Sequence, residues 1–185
     1  MTTQSELTKN YSGIFGNQVV LKNRRGSSVM TIPPAKPKTA PSDKQLAVRE
    51  RLRLAAAYAA NAMQDPVLHA EYAAKARKGR SAYRLAVIDF LRPPFIIQVD
   101  TAGYQGNTGD TITLTAGDDF RLVSVTLKIS NPDGTLVEEG DCVINMPSGQ
   151  YVYTAQEQIS SAAGVVIRVR ATDLPGNVTE KSVTL

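Results

Sequence analysis

The chain has 185 residues, a length that fits one large or two small domains. It carries 21 Lys/Arg against 17 Asp/Glu, a net charge of +4, and its 42% apolar and 21% charged residues are an ordinary globular balance. One cysteine, Cys142, excludes an intrachain disulfide and a multi-thiolate metal site, and one histidine, His69, excludes a paired-histidine metal motif.

Residues 1–10 are polar and read as a flexible arm. Residues 11–17 are a glycine-punctuated turn region. The runs 18–23 and 27–32 flank Arg24-Arg25-Gly26 and predict a β-hairpin. An isolated hairpin is marginal in water. This one therefore needs a neighbour, whether the helices, a second domain or another subunit. Pro33, Pro34, Pro37 and Pro41 then make an extended, semi-rigid connector.

Ser42 and Gln45 have capping-box spacing and predict a helix to about residue 63. Leu46, Arg49, Leu52, Arg53, Ala56 and Ala60 recur along it at helical spacing. Asp65-Pro66 is a second helix start, with Leu68, Tyr72 and Ala76 on one face and Gly79 fitting the stop. Ser81 caps a third helix over 82–91, whose apolar stripe is Tyr83, Val87, Ile88 and Leu91. Arg92-Pro93-Pro94 ends it.

Beyond Pro94 the apolar period switches from helical to two. Val123, Val125, Leu127 and Ile129 alternate with polar residues, and Val165, Ile167, Val169 and Ala171 form a second such series. The pattern predicts strands at 95–100, 111–116, 122–130, 136–145 (bent or split), 150–155, 164–172 and 179–185. Short strands at this density predict an immunoglobulin-type β-sandwich. The expected fold class is α+β in two modules. Residues 1–41 are the N-terminus, hairpin and arm, 42–93 a basic three-helix module, and 94–185 the sandwich.

Ala171-Thr172-Asp173-Leu174-Pro175-Gly176-Asn177-Val178-Thr179 is similar to the ending of many bacterial immunoglobulin-like domains, and Thr115-Ala116-Gly117-Asp118-Asp119 fits the same group. The N-terminal half resembles a family of Bacteroidota proteins without an assigned activity, through Gly13-Ile14-Phe15-Gly16-Asn17, Gln45 with Arg49, and Tyr58-Ala59. The resemblance implies no activity.

Charge is divided unevenly. Residues 1–93 hold 16 Lys/Arg and 6 Asp/Glu, and residues 94–185 hold 5 and 11, so +10 faces −6. In an immunoglobulin-type sandwich the loops after strands two, four and six share one end. That end gathers Asp118, Asp119, Asn145 and Asp173. Oxygens of Asp118, Asp119 and Asp173 can bind calcium. They can equally build their own turns, or face the basic module in the same chain or a neighbour. The basic candidates for a polyanion or nucleic acid are Lys22, Arg24, Arg25, Arg49, Arg53, Lys75, Arg77, Lys78, Arg80 and Arg84. Lys75, Arg77 and Lys78 also suit a helix C-terminus without any ligand.

No catalytic set assembles. His69 stands alone on a helix, acidic neighbours disfavour a Cys142 thiolate, and no nucleophile elbow or phosphate loop occurs. No resident cofactor is expected beyond the calcium option. The chain lacks an apolar run of the roughly 18 residues a membrane span needs, and its first residues lack the pattern of a secretory signal. The expected role is a non-enzymatic structural or adaptor subunit. It would be made in the cytoplasm and released within a particle such as a phage virion or contractile injection system. Its partners are then other subunits and copies of itself. A sequence-tolerant nucleic-acid binder and an adhesin-like or carbohydrate-binding module are the alternatives.

Overall fold

The computed structural model describes residues 12–24, 27–35, 39–77 and 79–185, with the side chains of Arg24 and Ser27 not included. Among them are three helices and eleven strands in three antiparallel sheets, an α+β protein. The chain divides into two compact units, Met1–Asp43 and Lys44–Leu185.

The first unit is a three-stranded meander of β1 (Gly13–Phe15), β2 (Val19–Arg24) and β3 (Ser27–Thr31). The hairpin is therefore extended by a strand that a turn was expected to occupy. The turn itself is tighter than the sequence suggested. Gly16 and Asn17 both take positive φ, 54° and 55°, and Gln18 N–H donates to the Phe15 carbonyl at 3.0 Å. Glycine and asparagine tolerate that conformation best. The polar arm over 1–10, the hairpin-tip residues Arg25 and Gly26, and residues 36–38 of the proline connector lie outside the described residues.

The second unit begins with α1 (Asp43–Gln64), directly after Ser42. α2 (Pro66–Lys75) starts as expected, with the Asp65 carboxylate accepting from Val67 and Leu68 N–H and Pro66 in the first turn. It stops at Lys75, ahead of Gly79, whose φ of +86° serves the following loop. α3 (Ala82–Leu91) is capped by Ser81.

α2 buries the expected face, with Tyr72 in the core and Leu68 and Ala76 beside it, but the faces of α1 and α3 differ from those expected. α1 buries Ala55, Ala59 and Ala62, while Leu46, Val48, Leu52 and Leu54 remain 44–68% exposed. α3 buries Ala82, Leu85, Ala86 and Asp89, whereas Tyr83 is 42% exposed. The physical reason is close approach. Small alanines let helix backbones pack tightly, and the larger side chains are left outside.

Eight strands make the sandwich: β4 (Phe95–Asp100), β5 (Thr111–Gly117), β6 (Leu122–Ser130), β7 (Leu136–Asp141), β8 (Val143–Asn145), β9 (Gln150–Thr154), β10 (Val166–Asp173) and β11 (Val178–Thr184). One sheet runs β11-β10-β6-β7 and the other β4-β5-β9-β8. Their inner faces share one core of Ile112, Leu114, Leu127, Ile129, Ile167 and Val169, all at most 1% exposed. The stretch expected as a bent or split strand is split, and it changes sheets at Cys142. Its N–H donates to the Val125 carbonyl on the first sheet at 2.8 Å, and the next residue, Val143, pairs with Val152 on the other. At the opposite margin β4 and β11 are tied together by Thr179 Oγ1 donating to the Pro94 carbonyl (2.6 Å) and Lys181 Nζ to the Ile97 carbonyl (2.7 Å).

The helices and the sandwich belong to one unit because they share a second core. Ala59, Ala62, Tyr72, Leu85 and Ala86 from the helices enclose Phe120 from the β5–β6 loop, with Leu174 alongside. The three helices are thus finished by the sandwich in the same chain. No described helix is long and apolar enough to cross a membrane.

Candidate functional site

Three segments each bring a carboxyl group to this second core. Asp89 comes from α3, Asp118 follows β5, and Asp173 ends β10. One oxygen from each lies within 4.8 Å of the others. Asp89 is fully buried and Asp173 is 1% exposed, while Asp118 is half-buried.

Each carboxyl is partly satisfied. Tyr72 O–H donates to Asp89 Oδ2 at 2.5 Å, and the Tyr58 and Tyr72 hydroxyls lie 2.9 Å apart. With the Tyr72 proton on Asp89, Tyr58 is the donor of that second bond. Tyr72 is held in place by its ring, which stacks on Phe120 with centroids 3.9 Å apart. Asp118 Oδ2 accepts from Phe120 N–H at 2.8 Å. Asp173 accepts from Asn177 twice, at Oδ1 from the backbone N–H (2.6 Å) and at Oδ2 from the side-chain amide (2.8 Å). The same amide reaches the Asp89 and Phe90 carbonyls at 3.3 and 3.2 Å, fastening the last turn of α3 to the β10–β11 loop.

Two oxygens are left over. Asp89 Oδ1 and Asp118 Oδ1 are buried and meet no donor. None of the ion pairs among the described residues reaches the three carboxyls. Burial pushes the Asp89 carboxyl up to about 7, against the pull of the Tyr72 hydroxyl, with a proton-sharing hydrogen bond to Asp118 and then the charges of Asp118 and Asp173 adding to the rise. Burial raises Asp173 as well, with hydrogen bonds from Asn177 opposing it. Three carboxyls this close cannot all ionise in a dry site without a counter-charge, so the cluster must hold a proton or a cation.

The expected acidic end is thus built in part. Asp118 and Asp173 come together, and the third partner is Asp89 instead of Asp119. Asp119 instead pairs with Arg92 at 3.2 Å across the junction of helix and sandwich. Arg121 makes the reciprocal pair with Glu71 at 3.1 Å. Asn145 ends β8, where it is exposed and its carbonyl accepts from Gly149 N–H. Turn building and electrostatic contact therefore coexist at this end. Asp89 escaped sequence reasoning because an acid inside Ala86-Val87-Ile88-Asp89-Phe90-Leu91 looks like the wet side of a helix. Its position seven residues after Ala82 and four after Leu85 was the available signal.

The basic candidates are scattered in role. Lys75 Nζ donates to the Phe120 carbonyl at 2.6 Å and sits 4.9 Å from that ring, so it joins helix to sandwich. Arg53 pairs with Glu50 at 2.7 Å. Arg51 caps α3 through the Leu91 carbonyl at 2.8 Å. Lys22, Arg49, Arg77, Arg80 and Arg84 are exposed. Arg25, Lys78 and the Arg24 side chain lie outside the described residues. His69 is exposed on α2, and burial beside Asp141 pushes the Cys142 thiol up to about 12.

An acidic groove of about 670 Å³ opens where β7 and β8 part. Glu138, Glu139, Asp141, Tyr153 and Glu157 line it. Glu138 is 8% exposed. Its Oε2 accepts from Tyr153 O–H (3.0 Å) and Gln156 N–H (2.9 Å), and its Oε1 is buried without a donor.

Neither a family model nor a curated protein matches this chain. Among solved structures, the crystal structure of CopC from Methylosinus trichosporium OB3b is similar at 16% identity and a TM-score of 0.35, over 49% of this chain and 89% of that one. A likeness of that size fixes neither fold nor function.

Proposed function

We propose that the protein is a non-enzymatic structural or adaptor subunit of a multi-protein particle of the phage-virion or contractile-injection kind. It docks through its basic N-terminal elements and displays an acidic sandwich of immunoglobulin type. The sheet orders β4-β5-β9-β8 and β11-β10-β6-β7 correspond to the A-B-E-D and G-F-C-C′ sheets of that fold.

The observation that carries the docking role is α1. Every residue of its first three turns is exposed, including Leu46, Val48, Leu52 and Leu54. A helix segment of that length is marginal alone, and covering each of those side chains, already 44–68% exposed rather than fully so, is worth about 1–2 kcal/mol. A partner that covers them gains both terms. Strand β8 repeats the pattern at a sheet margin, with Val143 72% exposed and Met146, just past its end, 79% exposed. The acidic groove between β7 and β8 suits a basic segment of a neighbouring copy.

The test is mass photometry of the full chain at several salt concentrations, beside a Leu46→Ser/Leu52→Ser variant. The expected result is an assembly that the variant loses. A monomer at every concentration, with duplex-DNA binding that falls steeply as salt rises, would place the protein among nucleic-acid binders instead.

A further inference from the structure

We propose that Asp89, Asp118 and Asp173 form a binding site for a hard divalent cation of the calcium class, which clamps α3 to the sandwich. The three oxygens lie within 4.8 Å of one another. An ion at their centre lies at most about 2.8 Å from each, so a small inward shift of the side chains brings all three to a calcium–oxygen distance of about 2.4 Å. The donor set is oxygen only, which selects calcium or magnesium over thiolate- and imidazole-seeking metals.

The second observation is independent of the clustering. Asp89 is fully buried, yet its Oδ1 meets no donor, and Asp118 Oδ1 is buried in the same condition. Native proteins rarely leave such atoms unmatched. A single shared proton neutralises one of the three carboxyls and leaves two charges in a site that no described ion pair reaches. A divalent ion offsets two charges and gives both orphan oxygens a partner. Asp118, the half-buried member, marks the side from which an ion enters. Calcium takes six to eight oxygens, so carbonyl or water oxygens complete the shell. The ligands come from three separate elements, so occupancy is linked to the packing of α3 on the β5–β6 and β10–β11 loops.

The experiment uses the full chain stripped with EDTA and titrated with terbium(III), excited through tyrosine. Tyr72 lies in hydrogen-bond contact with Asp89 and is the sensitiser. Saturable emission at one ion per chain is expected, displaced by calcium chloride at about 1 mM, the range of weak sites. The same calcium addition raises the melting temperature of wild type but not of Asp118→Asn. That variant keeps an acceptor for Phe120 N–H and so preserves the turn. Asp89→Asn provides a second, independent loss. Absence of sensitised emission overturns the site, as does emission unmoved by calcium or retained in both variants. A melting temperature indifferent to calcium and magnesium assigns the cluster to a shared proton instead.

Discussion

The cleanest perturbation is Asp89→Asn in EDTA, where no cation intervenes. In the folded chain burial holds this carboxyl at about 7, against an ordinary 3.8 in the unfolded chain. Below about pH 4 the group is protonated in both states and costs nothing. As pH rises from 4 to 7 the unfolded chain releases the proton while the folded chain keeps it, so stability falls through that window and levels off above it. A difference of about three units is worth about 4 kcal/mol. Asparagine keeps a carbonyl oxygen for Tyr72 O–H and offers an N–H₂ group to Asp118 Oδ1. The variant should therefore match wild type near pH 4 and exceed it by about 2–4 kcal/mol at pH 8. The charges facing Asp89 are Asp118 and Asp173, with the hydroxyls of Tyr72 and Tyr58 behind it, so Asp173 leaves a smaller residual slope. Urea denaturation followed by circular dichroism from pH 4 to pH 8 measures both curves. Parallel pH profiles, or a variant weaker than wild type at pH 8, would refute the account of a carboxyl raised chiefly by burial.

Tyr72→Phe keeps the stack on Phe120 but leaves Asp89 Oδ2 without its donor, and should cost about 1–3 kcal/mol in the same denaturation assay. Gly106→Ala meets two obstacles, a φ of +94° and an Ile159 Cγ1 that stands 2.7 Å from the added Cβ. Gly109→Ala shares the φ problem at +90° but opens onto empty space. Both should lower the melting temperature, Gly109→Ala by about 1–2 kcal/mol equivalent and Gly106→Ala by more. Cys142, half-buried with its thiol pushed up to about 12, should react with a disulfide reagent at pH 8 far more slowly in the native chain than in urea. Equal rates would contradict its packing behind β7 and β8.

Much of the fold was legible because local chemistry sufficed. Asp65-Pro66 and Ser81 start helices by satisfying amides within their own first turns. The alternation from Val125 to Ile129 permits one buried face only, although Val123, at the start of the same series, stays 62% exposed. These outcomes depend only on near neighbours along the chain. Other choices were made by distant segments. Which face of α3 turns inward depends on Phe120, about thirty residues away, and the carboxyl of Asp89 follows that face into the core. The strand after Leu136 changes sheets because β6 and β9 compete for it on either side of Cys142. The exchange of Asp119 for Asp89 in the acidic cluster has the same origin, since Arg92 holds Asp119 aside while Tyr72 draws Asp89 in. Hydrogen-bond capping and side-chain period are short-range and can be read along a chain. Burial of a charge is set by everything packed around it, so the meeting of the three carboxyls follows from the packing of segments far apart along the chain.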